Sequence, residues 1–338
     1  MSINLPSTMK AIIQNEEGGR LSVSEIPVPK PGKGEVLIKM IASPINPSDL
    51  AFLRGGYGPE KIFPVVPGFE GSGVVVASGG GFLPKLRMGK TVACASTPKK
   101  NGCWAEYMVT SAASCVPLPA GVSPEQGSMM FVNPMTALAF FDIHQSFSKE
   151  MGKKVGIINT AAASALGQMI IKLANRKNIQ LISVVRREEQ IETLKKASAE
   201  YVLNSEAPGF EDSLKTLTTQ LDVKLVFDAV GGKLSGKLFN AITPGSRMYI
   251  YGRLSPEECS FEPSGFISQE KQVHGFLLNH WLKNSGLLKK LKTINTVKKL
   301  LANDLGSPIH RQFSPEEISE AIETYKSNMS KGKILIRF

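Results

Sequence analysis

The sequence predicts a two-part α/β fold in which an irregular β-barrel is interrupted by a doubly wound parallel sheet. Three observations carry this reading: short apolar runs alternate with Pro and Gly clusters up to about residue 118, strands and helices alternate regularly from about Gly127 to Gly252, and one more apolar run, Lys333-Ile334-Leu335-Ile336, closes the chain. In the first part the runs Lys10-Ala11-Ile12-Ile13, Glu35 to Ile41, Gly73-Val74-Val75-Val76 and Lys90-Thr91-Val92-Ala93 are short and bounded by turn residues, as barrel strands are. In the second, strands at 155–160, 181–185, 200–203, 224–228 and 246–251 enclose helices at 164–176, 188–197, 210–220 and 234–241. That alternation belongs to a parallel sheet covered by helices on both faces. The closing run reads as a strand that returns to the first part. The boundaries drawn from these patterns are 1–128 with 270–338 for the barrel and 129–269 for the sheet.

At 338 residues, with 42% hydrophobic and 20% charged, the chain has material for two cores and the composition of a globular protein. It contains no run of eighteen apolar residues, and Met1 to Thr8 carries neither a hydrophobic signal core nor an arginine-rich presequence. A soluble, cytoplasmic protein with no membrane partner is expected. Cys94, Cys103, Cys115 and Cys259 form no C-x-x-C pair and have no histidine at ligand spacing, so neither a disulfide framework nor a metal site is expected. The net charge of +11 favours anionic partners: phosphorylated cofactors, acyl-CoA, acidic carrier proteins or nucleic acid. Much of it lies where Lys289, Lys290, Lys292, Lys298 and Lys299 flank Leu287, Leu288, Leu291, Val297, Leu300 and Leu301, which reads as an amphipathic helix with a solvated basic face.

The sharpest chemical signal runs from Val155 to Arg187. Val155 to Thr160 reads as a buried strand, and Ala161 to Gly167 as a turn compact enough for backbone to approach a pyrophosphate at the start of the next helix. Ala162, Ser164 and Gly167 stand where a G-x-G-x-x-G turn carries its three glycines. β-Carbons at Ala162, Ala163 and Ala165 restrict positive φ there. Arg186 follows Gly167 by 19 residues, at the end of the second strand, and Arg187 lies beside it. An acidic residue at that point suits the ribose 2′-hydroxyl of NAD, whereas an arginine pair suits the 2′-phosphate of NADPH by charge-assisted, forked hydrogen bonds. The turn alone leaves open an ordinary strand-helix-strand unit with solvated arginines.

Six segments in order make the reading more specific: Ile45-Asn46-Pro47-Ser48-Asp49, Gly56-Tyr57-Gly58, Val132 to Ala137, Val184-Val185-Arg186, Asp228 to Lys233 and Gly275 to Trp281. With them the chain resembles the medium-chain dehydrogenase/reductase superfamily over nearly its whole length, in the zinc-free branch that holds 2-enoyl thioester reductases and quinone reductases. The resemblance implies a GroES-like catalytic barrel and a Rossmann domain that binds NADPH. Zinc enzymes of the superfamily offer a cysteine before the first helix, a histidine in a Gly-His-Glu segment and a four-cysteine lobe. Here Pro47-Ser48-Asp49 and Gly68-Phe69-Glu70 stand at the first two places, and phenylalanine cannot ligate zinc.

The resemblance also assigns roles to residues. Tyr57 matches the tyrosine that serves as proton donor in the thioester reductases, and a phenol with a pKa of about 10 is protonated at neutral pH. Asn46 is expected to fix a substrate carbonyl and Trp281 to wall the acyl pocket, although an amide beside a proline equally forms a turn and an indole equally fills a core. Asn133, Thr136, Tyr251, Gly252, Phe276 and Lys333 are expected on the cofactor beside Ala162, Ser164, Gly167, Arg186 and Arg187.

The activity implied is reduction of the activated C=C bond of a 2-enoyl thioester by NADPH without zinc, with acyl-CoA or an acidic acyl carrier protein bearing the substrate. The nearest alternative is an NADPH:quinone or enone oxidoreductase in the same scaffold. A third, from another class, is a silent nucleotide- or RNA-binding protein; against it, the lysines are not interleaved with stacking aromatics, so no nucleic-acid partner is expected. A homodimer is expected from the resemblance and from the frequency of two-fold association.

Overall fold

A computed structural model describes residues 5–96 and 101–338; the first four residues of the Met1 to Thr8 segment lie outside the described part. The strands, in chain order, are β1 (Thr8–Gln14), β2 (Leu21–Pro27), β3 (Glu35–Pro44), β4 (Glu70–Ser78), β5 (Thr91–Ala95), β6 (Tyr107–Ser111), β7 (Cys115–Pro117), β8 (Gly156–Asn159), β9 (Leu181–Val185), β10 (Tyr201–Asn204), β11 (Val223–Asp228), β12 (Arg247–Ile250), β13 (Gln272–Gly275), β14 (Ile309–Phe313) and β15 (Lys333–Arg337). They fall into two compact units, Met1–Pro134 with Asn295–Phe338, and Met135–Ile294.

The first unit holds a β1–β2 hairpin and a seven-stranded sheet in the order β14-β15-β3-β4-β5-β7, with β6 also paired to β3. The C-terminal run does return here: β15 lies antiparallel to β3, with Leu335 opposite Pro44 and Ile336 opposite Ser43. Ile334, Leu335 and Ile336 are buried; Ile334 and Ile336 join Ile12, Leu37, Ile45 and Trp104 in the main core, while Leu335, on the opposite face, packs with Ala42 and Met129. Closing the unit with the last strand makes residues nearly 290 positions apart neighbours, which matters for the site below.

The second unit is a parallel sheet in the order β10-β9-β8-β11-β12-β13. Counted from β8, this is the 3-2-1-4-5-6 order of a doubly wound fold, with the direction of winding switching between β8 and β11, where such sheets bind ligands. Its strands are short and apolar because both faces are buried; on one of them Ile158, Ile182, Val184, Val226 and Met248 pack against Phe210, Leu214, Leu238 and Phe239 from helices Phe210–Gln220 and Gly232–Ala241. Helix Val132–Glu150 starts two residues earlier than Pro134, which sits in its first turn, where no backbone N–H is needed for an intrahelical bond.

Helix Leu287–Leu300 departs from its sequence reading. Val297 and Leu301 are buried as expected, but Leu287, Leu288 and Leu291 are exposed at 70%, 85% and 49% beside the lysines. Among the described residues no helix is long and apolar enough to cross a membrane.

Candidate active site and nucleotide turn

In the first unit the chain leaves β3 at Pro44 and enters helix Pro47–Arg54 through Asn46. Pro47 presets the helical φ, and Asp49, three residues after Asn46, accepts the Asn46 backbone N–H at 2.8 Å. The second Asp49 oxygen accepts the Phe69 N–H at 3.0 Å, tying the helix to the start of β4. Asn46 is fully buried, and its amide is used at both ends: Nδ2 donates to Glu70 Oε1 at 3.0 Å, and Oδ1 accepts from Lys333 Nζ. The other Glu70 oxygen accepts the N–H groups of Phe131 and Val132, each at 2.9 Å. Helix start, β4 and the returning β15 are thus knotted through one buried polar cluster.

Burial governs the electrostatics of that cluster. It pushes the Asp49 carboxyl up to about 7, against the two backbone N–H bonds that favour its charged form. Glu70 is raised by the same cause, opposed first by Lys333. Lys333 is lowered by burial, opposed by Glu70 and Asp49.

Tyr57 stands just beyond this cluster, in Gly55-Gly56-Tyr57-Gly58. The three glycines have φ of 95°, 73° and 87°, conformations that side-chained residues rarely adopt, so the loop can bend tightly around the tyrosine. The ring meets Phe69 edge to face at a centroid distance of 6.1 Å, and Phe69 in turn meets Phe52 at 5.5 Å. Burial, and secondarily the Asp49 carboxylate, raise the Tyr57 pKa, which reinforces the protonated phenol at neutral pH.

In the second unit β8 ends at Asn159 and the turn follows. A left-handed residue is needed in it, and it falls at Ala161, with φ of 48°, rather than at Ala162, Ala163 or Ala165, where the sequence placed the restriction. Ala162 and Ala163 are buried, and Ala162 N–H donates to the Val184 carbonyl at 3.1 Å, so these small residues press the turn onto the sheet. Ser164 caps helix Ala165–Lys177 by accepting the Gly167 N–H at 3.1 Å. A β-carbon at Gly167 would run into the Ala162 carbonyl, so only glycine lets the helix start this close to the turn. Across the switch point, Thr160 Oγ1 donates to Asp228 Oδ1 at 2.7 Å, and Asp228 also holds Val230 N–H, Gly231 N–H and Ser235 Oγ, fixing the β11 loop.

Three polar side chains in this region meet no hydrogen-bond partner or ion pair among the described residues. Both amide atoms of Asn159 and the hydroxyl of Ser183 are buried and unmatched, and the two residues are register partners on adjacent strands. At the end of β9 the Arg186 backbone N–H bonds Gln190 at 3.2 Å while its guanidinium is exposed; Arg187 by contrast pairs with Glu189 at 3.0 Å. A capped helix start, a turn packed against the sheet, unmatched polar groups and an unpaired arginine at the β9 end fit a dinucleotide with a 2′-phosphate.

The remaining sequence candidates lie as follows. Asn133 and Thr136 are buried in the first turns of helix Val132–Glu150. Tyr251 and Gly252 follow β12, and Phe276 follows β13, with Phe140 packed against Tyr251 at 4.9 Å and against Phe276 at 4.8 Å. Trp281 Nε1 donates to Asp142 at 3.2 Å, on a cleft of about 250 Å³ shared with Tyr249, Arg247 and Lys289. Lys333, expected to reach the cofactor, has its ammonium engaged by Asn46 inside the barrel, and Asn46, expected on substrate, is spent on Glu70 and Lys333. Sequence reasoning passed over Asp49, Glu70 and Asn159 as individual site residues. The available signals were a carboxylate three residues after a helix-capping asparagine, and a polar residue closing an otherwise apolar buried strand.

Fold and site together define a dinucleotide-dependent oxidoreductase with a barrel domain and a doubly wound domain. Residues 32–120 match the alcohol dehydrogenase GroES-like domain family, and residues 165–293 match the zinc-binding dehydrogenase family. A Mesorhizobium loti protein assigned as an NADPH:quinone reductase is 35% identical, with a TM-score of 0.90 over 99% of this chain and 100% of that one. Mouse mitochondrial enoyl-[acyl-carrier-protein] reductase is 29% identical over 292 residues, 84% of this chain and 76% of the relative. A mutant form of enoyl thioester reductase from Candida tropicalis shares the fold, with a TM-score of 0.78 at 22% identity over 98% of this chain and 100% of that one. The chain belongs to the medium-chain dehydrogenase/reductase superfamily, in its zinc-free branch. Within it, Phe69 replaces the histidine of the zinc enzymes by an aromatic ring that packs on Tyr57.

Proposed function

We propose that the protein reduces the activated C=C bond of a 2-enoyl thioester with NADPH and without zinc. The observation that carries this reading is the Tyr57–Phe69 contact: a ring that cannot bind metal stands at the histidine position and orients a half-buried phenol. Bound NADPH supplies the hydride for the β-carbon. The chain's own residues then hold the cofactor and manage one proton. Arg186 takes the 2′-phosphate, and the Ser164-capped helix start takes the pyrophosphate. Tyr57, kept protonated by burial, hydrogen-bonds the developing enolate oxygen and is the proton source for the α-carbon. Asp49 and Glu70 act from behind, tying Phe69 and the helix start into place.

Similarity to the mouse enzyme supports a thioester borne by an acyl carrier protein, with CoA the other carrier that the sequence reading offers, and its mitochondrial designation sets a mitochondrial compartment beside the cytoplasmic one. Similarity to the Mesorhizobium protein favours a second reading, an NADPH:quinone oxidoreductase using the same nucleotide turn. Initial rates of NADPH oxidation with a trans-2-enoyl-CoA and with a naphthoquinone, for wild type and Tyr57→Phe, separate the two. The thioester reading expects enoyl-CoA turnover that falls by about 10²- to 10⁴-fold in the variant, the usual range for a lost general acid. Quinone turnover alone, indifferent to Tyr57, would replace it with the second reading.

A further inference from the structure

We propose that the start of helix Leu287–Leu300 docks the protein on an anionic lipid surface. From Gln272 to Asn303 the chain contains six lysines, Lys283, Lys289, Lys290, Lys292, Lys298 and Lys299, and no aspartate or glutamate. No other face is needed to explain why the helix is stable here: Val297 and Leu301 are buried, and the Thr293 hydroxyl bonds back to the Lys289 carbonyl at 2.9 Å. The leucines at its beginning are spare. Leu287, Leu288 and Leu291 are 70%, 85% and 49% exposed, adjacent in the first turn and a half of the helix. The sequence reading put these leucines inside and expected no membrane partner; their exposure is what changes it.

The chemistry of the face selects the occupant. Lys289 is held by Asp142 at 2.6 Å and lies 5.6 Å from the Trp281 ring centroid, so its charge is partly answered within the unit. Lys283 is exposed and Lys290 half exposed around the leucines. Leucines that enter the boundary between headgroups and acyl chains, with lysine stems reaching back to lipid phosphates, fit a peripheral amphipathic contact. Three leucines are too few for the core of a stable protein interface, which buries roughly 800 Å² per partner. The segment itself contributes no carboxylate, and the neighbouring Asp142 is paired with Lys289, so the remaining lysines meet an anionic surface with net attraction that falls off within a Debye length.

The test is flotation of the full chain with vesicles of phosphatidylcholine alone and of phosphatidylcholine with phosphatidylglycerol. The proposal expects binding to the anionic vesicles only, reversed by salt. It expects binding to be abolished in Leu287→Ser/Leu288→Ser at unchanged melting temperature, and weakened about fivefold in Lys290→Ala. Absence of binding to anionic vesicles, equal binding to both compositions, or variants that bind like wild type would overturn it. So would a lower sedimentation mass of the leucine variant, which would make this face a contact between copies. A Lys290→Ala variant that binds vesicles normally but raises KM for a carrier-bound thioester would assign the face to an acidic protein instead.

Discussion

The polar cluster of the barrel and the nucleotide turn of the sheet use similar side chains and end in opposite states. In the barrel, Asn46, Asp49 and Glu70 each engage both terminal atoms of their side chains, and Lys333 closes the set. At the turn, both terminal atoms of Asn159, the Ser183 hydroxyl and the Arg186 guanidinium meet no partner among the described residues. A buried polar group left unmatched costs about 1–3 kcal/mol, a cost that folding leaves standing and that binding can remove. Between these two sites the saturated cluster reads as scaffold and the unsaturated turn as a place where polar ligand atoms can arrive, while Ser48 Oγ and Trp104 Nε1 show that single unmatched groups occur in the barrel as well. On that ground we propose that Asn46 and Lys333 support the Tyr57 loop and that Asn159 is a ligand group, beside the exposed Arg186 proposed for the 2′-phosphate.

The strongest way to break this contrast is Lys333→Met. Removing the ammonium leaves Glu70 and the Asn46 carbonyl buried without their cation, and deleting one partner of a buried charged cluster typically costs about 3–5 kcal/mol. Urea unfolding should show a loss of that size. A loss below about 1 kcal/mol would mean that the cluster does not depend on its cation, and the scaffold assignment would fall.

Asp49 supplies the next largest effect. Its carboxyl is raised from 3.8 in the unfolded chain to about 7 in the fold, so the folded protein holds that proton more tightly. The resulting stability is whole below about pH 4 and is lost as pH rises through about 7, a decline of up to about 4 kcal/mol. Urea midpoints measured across that window should fall for wild type, and Asp49→Asn should remove this part of the slope. An identical pH slope in the two proteins would show that Asp49 stays ionised throughout.

How far these features were legible from sequence depends on their range. The helix Phe210–Gln220 and the strand β9 occupy the residues that periodicity assigns to them, because their apolar spacing is local and regular. The strands β13 and β14 carry Gln272, His274, His310 and Arg311, with little alternation to betray them, and they form because neighbouring strands supply their hydrogen bonds. Tyr57, Ser164, Gly167 and Arg186 were legible as motif positions. The Asn46–Lys333 bond was not, since it joins residues 287 positions apart through the return of β15, and no local pattern encodes that closure. The exposure of Leu287 and Leu288 was hidden for the same reason: amphipathic spacing tells which residues share a helix face, not whether anything covers it.

Arg186→Ala sharpens the ligand side of the contrast. A charge-assisted hydrogen bond to phosphate is worth about 1.5–3 kcal/mol, so NADPH should bind roughly 10- to 100-fold more weakly while NADH is unchanged. Isothermal titration with both nucleotides measures this directly. Equal losses for the two would remove the 2′-phosphate assignment and shift attention to Arg187, although its pairing with Glu189 leaves it less available.

The smallest effect is also the most discriminating. Replacing Asn159 by leucine keeps roughly the same shape while removing two buried polar atoms that have no protein partner. If Asn159 were an ordinary structural residue, the change would destabilise the protein, as the loss of a satisfied buried amide does. If its amide is kept for a ligand, the nucleotide-free protein should become more stable by about 1 kcal/mol, because an uncompensated desolvation penalty has been lifted. The same variant should show a smaller rise in melting temperature on adding NADPH, since the bound state then lacks the amide that the free state no longer has to bury unmatched. A variant that is less stable without nucleotide yet gains as much from NADPH as wild type would place Asn159 with the scaffold, and unmatched hydrogen-bonding groups would no longer distinguish the two regions.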